Sequence, residues 1–120
     1  MLIKSFLLVA AGGAIGAVLR YATSLVAISK AFPLATFIVN IAGSFLIGIL
    51  LALSLRNNIS AGGWKFLAVG ICGGFTTFSA LSLEGFQLLQ QQRYLVFLLY
   101  FVMSIAGGLA ATYAGYYFTQ

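Results

Sequence analysis

The stretch Gly73-Gly74-Phe75-Thr76-Thr77-Phe78-Ser79 lies near the centre of an apolar segment that runs from about residue 64 to about residue 89. Glycine costs a helix about 1 kcal/mol relative to alanine, and threonine costs roughly 0.5 kcal/mol. Unwound backbone is tolerated inside a bilayer where it faces protein, water or an ion. We therefore predict a mid-membrane helix break whose carbonyls or hydroxyls hold an ion. The alternative is that the glycines only let two helices approach closely.

The composition of the whole chain indicates a membrane protein. Of its 120 residues, 62% are hydrophobic and 6% are charged, and the mean hydropathy is +1.12. A soluble domain carries about 25% charged residues. The length allows about four spans of roughly 20–25 residues. We expect one all-α domain over residues 1–120, with spans at about 2–28, 34–55, 64–89 and 94–118.

The few charged residues exclude several classes of function. The net charge of +5 comes from basic residues that are scattered singly, so no cluster suits nucleic-acid binding. With no histidine and a single carboxylate, Glu84, the chain lacks the side chains for most metal centres and for acid–base catalysis. We predict that the protein is not an enzyme.

An arginine and an asparagine lie inside the first two predicted spans. A lone arginine near the centre of a span costs about 2.5–3.5 kcal/mol. Arg20 in the first span either extends towards the headgroups or faces the bundle interior and places positive charge near an anion route. Asn40 shares a helix face with Thr36 and Ser44. It either links helices or belongs to a polar stripe along a pathway.

The basic residues give the chain almost no preferred orientation. With four spans, one side of the membrane collects Lys4, Arg56 and Lys65, and the other collects Lys30 and Arg93. This bias is too small to set an orientation by the positive-inside rule. A chain that inserts both ways can pair with an oppositely inserted copy about a two-fold axis. We predict an antiparallel, dual-topology homodimer in which the two breaks meet at mid-membrane.

The polar side chains of the spans favour a small anion. Hydroxyl and amide groups donate hydrogen bonds, and phenylalanine ring edges carry partial positive charge. A cation held by the carbonyls of two facing breaks would add positive field. Ordinary packing is the alternative role for Phe75 and Phe78. The candidate donors are Thr36, Asn40, Ser79, Ser82, Ser104 and Thr112.

Residues 70–79, with residues 12–21 and Val39-Asn40, resemble the CrcB/Fluc fluoride channel family over nearly the whole chain. The run G-x-C-G-G-x-T-T-F-S is the specific part of the resemblance. Members of that family are antiparallel dual-topology dimers with two fluoride pores and a central sodium ion. The resemblance therefore implies a passive fluoride channel of the bacterial inner membrane, with fluoride, structural sodium and a second copy as its partners.

The resemblance also implies roles for individual positions. Main-chain carbonyls of Gly73 and Thr76 would hold sodium. Asn40 would donate to fluoride, and Phe78 would be the first pore aromatic. The other matched positions are polar or charged residues along the third helix, at the vestibule and in the first span: Thr77, Ser79, Ser82, Glu84 and Arg20.

Two positions depart from the family's usual pattern. The family reads T-T-F-S-T-F, with a second pore phenylalanine where this chain has Leu81, a side chain without a positive ring edge. The frequent pore serine of the fourth span is Gly108 here, with Ser104 and Thr112 one turn away on either side. We expect a working channel with altered throughput. Two other phenylalanines are candidates to replace the missing ring: Phe75 and Phe86.

Two other functions fit a short four-span chain. A small multidrug exporter needs a carboxylate embedded in its first span, whereas the only carboxylate here, Glu84, lies in the third. A scaffold or holin-like protein would need neither a broken helix nor a buried asparagine. Since no titratable residue is placed at the predicted midplane to couple protons, we predict passive conduction.

Overall fold

The computed structural model describes residues 1–120, and every regular element in it is a helix. The first two helices are α1, Leu2–Val26, and α2, Leu34–Leu55. Helix α3 covers residues 61–75 in three parts, an α-helical turn at Ala61–Trp64, a π-helical stretch at Lys65–Cys72 and a last turn at Gly73–Phe75. The last two helices are α4, Phe78–Gln90, and α5, Tyr94–Thr119.

Four helical segments are long and apolar enough to cross a membrane, which confirms the prediction of an all-α, four-span chain. The third of them combines α3 and α4 as Ala61–Gln90. The molecule measures 49 × 30 × 22 Å, so its long axis exceeds the roughly 30 Å thickness of a hydrocarbon core. These dimensions are large enough for the four helical segments to cross a membrane.

Two helix ends differ from the predicted bounds by two or three residues, and the other ends agree to within one residue. The first span ends at Val26 and not at residue 28. The third span begins at Ala61, before Trp64, because Ser60 caps it: the Ser60 hydroxyl accepts a hydrogen bond from Gly63 N at 3.0 Å. Serine is among the best residues for this capping position, so the helix starts directly after it.

Helix α1 packs on α3 through glycines that allow the two backbones to touch. A Cβ atom on Gly12 would collide with the carbonyl of Phe66, and one on Gly16 would collide with the carbonyl of Ile71. On the α3 side, a Cβ on Gly70 would lie 2.8 Å from the Cα of Gly12. Small residues permit this close approach in membrane bundles.

Helix α2 packs on α5 in the same way. A Cβ on Gly48 would collide with the carbonyl of Thr112, and one on Gly115 would collide with the carbonyl of Phe45. The Thr112 hydroxyl also donates to Ser44 O at 3.0 Å across this contact. The fold is therefore built from two close helix pairs, α1 with α3 and α2 with α5.

Helix α4 lies against α5 around a small apolar cluster. Leu81, Leu88 and Tyr100 are its buried members, and no part of Tyr100 is exposed to solvent. Only 16 of the 120 residues are buried in the single chain. Most of the apolar surface is therefore left for contact with lipid or with a partner, as expected for a small bundle of membrane helices.

The α1–α3 contact predicts that alanine destabilises the chain at one glycine of α1 and has little effect at another. Gly16→Ala should lower the free energy of unfolding by about 1–3 kcal/mol, because overpacking against backbone cannot relax easily. Gly13→Ala is the control, since its Cβ would meet only Gly70 O, at 4.0 Å. Equilibrium unfolding in mixed micelles measures both variants. Equal losses of stability would contradict this account of the contact.

Candidate functional site

The third span is interrupted at Thr76 and Thr77. Their backbone angles, φ −86° and ψ 156° for Thr76 and φ −152° and ψ 119° for Thr77, are extended. Gly73 and Gly74 remain helical, so the interruption falls on the two β-branched residues, whose side chains favour extended backbone. The depth of this interruption in a bilayer stays a prediction.

The two glycines before the break have different surroundings. A Cβ on Gly74 would lie 2.5 Å from the carbonyl oxygen of Gly13, so Gly74 serves close packing against α1. A Cβ on Gly73 would meet nothing nearer than Ala68 O at 4.0 Å. The packing explanation therefore applies to Gly74 and leaves Gly73 without a steric requirement.

Asn40 on α2 pairs with the interrupted backbone through both ends of its amide. Its Nδ2 donates to Thr77 O at 3.1 Å, and Thr77 N donates to its Oδ1 at 2.8 Å. Asn40 thus links two helices, as one of the two sequence-based alternatives proposed. An amide has two N–H donors, and Thr77 takes one of them, which leaves the second for a ligand.

Gly73 and Thr76 are among the residues whose backbone carbonyls the break frees from their helical partners. In a continuous helix, Gly73 O would accept from Thr77 N and Thr76 O would accept from Ala80 N. Thr77 N instead donates to Asn40, and Ala80 N donates to the Thr77 hydroxyl at 3.1 Å. These carbonyls belong to the two residues that the family resemblance implied as sodium ligands.

Arg20 is directed towards the break from α1. Its Nε donates to Gly74 O at 3.0 Å in a partly buried position. The guanidinium therefore lies near the carboxyl end of α3, where the helix dipole is negative and a cation is favoured. Its side chain extends into the bundle and not along the helix towards the headgroups.

An open cavity of about 480 Å³ collects most of the predicted pore residues. It contains no acidic side chain among its lining residues. The hydroxyl of Ser104 is buried there and has no hydrogen-bond partner, which is uncommon for a buried polar group. The predicted residues on its wall are Asn40, Gly73, Thr76, Thr77, Phe78, Leu81 and Ser104.

Other predicted residues lie outside this cavity. The Thr112 hydroxyl donates within the α2–α5 contact, to Ser44 O at 3.0 Å and Gly108 O at 3.1 Å. Ser79 and Ser82 are exposed on α4, and the Ser79 hydroxyl lies 3.1 Å from the Thr77 hydroxyl. The structure therefore does not bring Thr112, Ser79 or Ser82 together with Ser104 in one lining.

Glu84 takes part in a network that sequence reasoning identified only in part. Its carboxylate accepts from the Thr36 hydroxyl at 3.0 Å and from the Tyr100 hydroxyl at 2.8 Å. Thr36 is thus directed at Glu84, although its spacing had grouped it with Asn40. Tyr100 was missed, although a tyrosine inside an apolar span signals a buried hydroxyl that needs a partner. Glu84 also lines a smaller cavity of about 200 Å³ together with Arg20 and Thr77.

These features define a small multi-pass membrane protein whose third span is interrupted beside a polar cavity. A sequence model of the family described as "CrcB-like protein, Camphor Resistance (CrcB)" matches residues 7–116. The chain belongs to this family.

Named relatives align with nearly the whole chain. A protein of Azobacteroides pseudotrichonymphae named "Fluoride-specific ion channel FluC" is 46% identical over 123 aligned positions, covering 99% of this chain and 98% of its own length. Proteins of the same name from Chlorobium luteolum and Thermus thermophilus are 49% and 46% identical, over 92% and 94% of this chain and 88% and 93% of their own lengths. Since these relatives are named as ion channels, the prediction that the chain is not an enzyme is confirmed.

The side-chain cap of α4 predicts a graded loss of stability at position 77. Thr77→Ala should destabilise the chain by about 1 kcal/mol, because Ala80 N would lose its acceptor. Thr77→Ser keeps a hydroxyl and should lose much less. Unfolding in mixed micelles compares the two variants. Equal destabilisation would show that the hydrogen bond from Ala80 N to the Thr77 hydroxyl does not stabilise the start of α4.

Proposed function

We propose that the protein is a fluoride-selective, passive ion channel that exports fluoride across the bacterial inner membrane. The names of its relatives give the class of ion. The observation that carries the proposal is the cavity beside the break, where the buried Ser104 hydroxyl has no partner and the Asn40 amide keeps one N–H free. Fluoride is a compact anion that accepts hydrogen bonds strongly, so these donors can replace part of its hydration shell.

The cavity is suited to an anion and not to a coupled cation exchanger. Its lining has no acidic residue and no titratable cation. Phe78 is 77% exposed, which leaves the positive edge of its ring available to an anion. Glu84 lies outside the cavity, where two neutral hydroxyls hold its carboxylate. The one titratable side chain on the lining is the buried thiol of Cys72, and no carboxylate, imidazole or amine is there to couple proton movement. Conduction therefore follows the fluoride gradient.

We propose that two oppositely inserted copies form the conducting unit, with two pores. The cavity is open to the surface of the single chain, and few residues of the chain are buried, so its wall is incomplete. A second copy facing it would complete the wall and cover the exposed ring of Phe78. The nearly even distribution of basic residues between the two sides supports insertion in both orientations.

A structural sodium ion would fit the carbonyls that the break releases. No group of three or more His, Cys, Asp or Glu side chains exists to hold a metal, so main-chain oxygens are the available ligands. Hard cations favour carbonyl oxygens. Gly73 and Thr76 offer two such oxygens per chain, and a two-fold axis would double that number. When bound, the ion supplies a fixed positive charge beside the anion route.

Purified protein in liposomes tests the proposed function directly. With the membrane voltage clamped by potassium, we expect electrogenic efflux of fluoride and no efflux of chloride. Flux that requires a proton gradient would instead support a transporter. Absence of any flux would support a scaffold and would overturn the proposal.

Asn40→Asp is expected to abolish fluoride efflux while the dimer survives. The new carboxylate adds negative charge to the cavity and removes the donor to Thr77 O. Asn58→Asp makes the same chemical change at an exposed loop position and should leave efflux unchanged. Fluoride electrode traces and size-exclusion chromatography compare the variants. Normal efflux in Asn40→Asp would remove Asn40 from the proposed route.

Sodium is expected to stabilise the protein more than potassium at equal ionic strength. A ligand that binds only the folded state at 100 times its dissociation constant adds about 2.7 kcal/mol of stability. Thermal unfolding in detergent, with each salt in turn, measures the difference. Identical melting temperatures in the two salts across a wide concentration range would argue against a sodium site.

A further inference from the structure

Two aromatic rings line the cavity beside the break, and one of them comes from an unexpected helix. Phe78 lies at the start of α4, as the sequence indicated, whereas the second ring is that of Phe101 on α5. Leu81, which also lines the cavity, is an aliphatic side chain and is 93% buried by its neighbours, with 7% exposed. The ring that accompanies Phe78 is therefore not supplied by α4.

The two phenylalanines that the sequence suggested as substitutes are not placed to act. Phe86 lies on another face of α4, is 58% exposed and does not line the cavity. Phe75 also lies outside the lining. Its ring is beside α2, with Cδ2 at 3.6 Å from the position a Cβ on Gly43 would take. Geometry therefore leaves Phe101 as the only other ring at the cavity wall.

The ring of Phe101 is held in a defined position by three neighbours. A Cβ on Gly85 would lie 2.5 Å from its Cε1 and 2.7 Å from its Cζ, so the distal edge of the ring occupies the space above that glycine. The ring centroid is 4.6 Å from that of Phe97 and 5.9 Å from that of Tyr100. With the Cε1–Cζ side of the ring packed over Gly85, the ring keeps one orientation at the cavity wall.

Phe101 and Ser104 are three positions apart on α5, so they lie on one face of that helix. The Ser104 hydroxyl is buried without a partner. Both residues line the cavity that contains Asn40 and Phe78. A hydroxyl donor and a positive ring edge on one helix face are two complementary contacts for the same small anion.

We propose that Phe101 is a specificity-determining residue of the route: its ring edge and the Ser104 hydroxyl together contact fluoride from the α5 side of the cavity. The proposal rests on the proposed channel function. It assigns to α5 the aromatic contact that Leu81 does not provide. The dehydrated ion passes between Phe78 on α4 and Phe101 on α5.

The test alters the polarity of the ring with little change in its shape. Pentafluorophenylalanine in place of Phe101 reverses the charge distribution of the ring edge. We expect fluoride efflux to fall about tenfold, which corresponds to about 1.4 kcal/mol in the barrier. The same replacement of Phe97, which packs on Phe101 but does not line the cavity, is the matched control and should leave efflux within about twofold, a change below 1 kcal/mol.

A second pair of variants tests the position of the ring genetically. Phe101→Leu removes the edge and should reduce efflux to a similar extent. Adding Leu81→Phe to that variant returns a ring to the cavity from α4 and should recover part of the flux. Size-exclusion chromatography and thermal unfolding of each variant establish that the compared proteins are folded.

The possible outcomes separate this inference from the proposed function. If the wild-type protein conducts fluoride and fluorination of Phe101 leaves efflux unchanged, the assignment of Phe101 is overturned and the channel function stands. Equal losses on fluorinating Phe97 and Phe101 also overturn it, because the rings would then act through packing. If the wild-type protein itself shows no fluoride efflux, the proposed function fails and this inference fails with it.

Discussion

The pairing between the Asn40 side chain and the backbone of Thr77 is the interaction on which the site depends. An interrupted helix in an apolar environment leaves N–H and C=O groups that cannot turn to water, and each unpaired group is costly. The Asn40 amide pairs with both groups of Thr77 at once. One side chain from a neighbouring helix therefore makes the extended conformation of Thr76 and Thr77 tolerable inside the bundle.

The same pairing determines which groups remain free. Because Thr77 N is bound to Asn40 and Ala80 N to the Thr77 hydroxyl, the carbonyls of Gly73 and Thr76 lose their helical donors. Arg20 binds the neighbouring carbonyl, that of Gly74, from α1. The broken helix thus leaves carbonyl oxygens without helical donors, and Asn40 on α2 keeps one N–H without a protein partner beside them. The proposed cation and anion contacts both rest on these free groups.

The surrounding fold holds this break in place with very little buried volume. Glycines bring the backbone of α1 against that of α3, and the backbone of α2 against that of α5. These close backbone contacts, and not a large hydrophobic core, fix the relative positions of the helices. Two elements then converge on the break, α1 through Arg20 and α2 through Asn40. The cavity beside the break stays open on one side in the single chain.

The sequence by itself determined the number of spans and the location of the interruption, because hydropathy and helix-disfavouring residues act locally. Isolated polar groups and the family resemblance together predicted seven of the 14 residues that line the cavity. The sequence did not determine the π-helical stretch, the direction of the Thr36 and Thr112 side chains or the partner of Glu84. It also suggested Phe75 and Phe86 as replacement pore rings, whereas the second ring on the cavity wall is that of Phe101. These features depend on which faces of separate helices meet. Only the tertiary structure decides this, because the glycine contacts set the rotation of each helix and helical periodicity alone does not specify the neighbour.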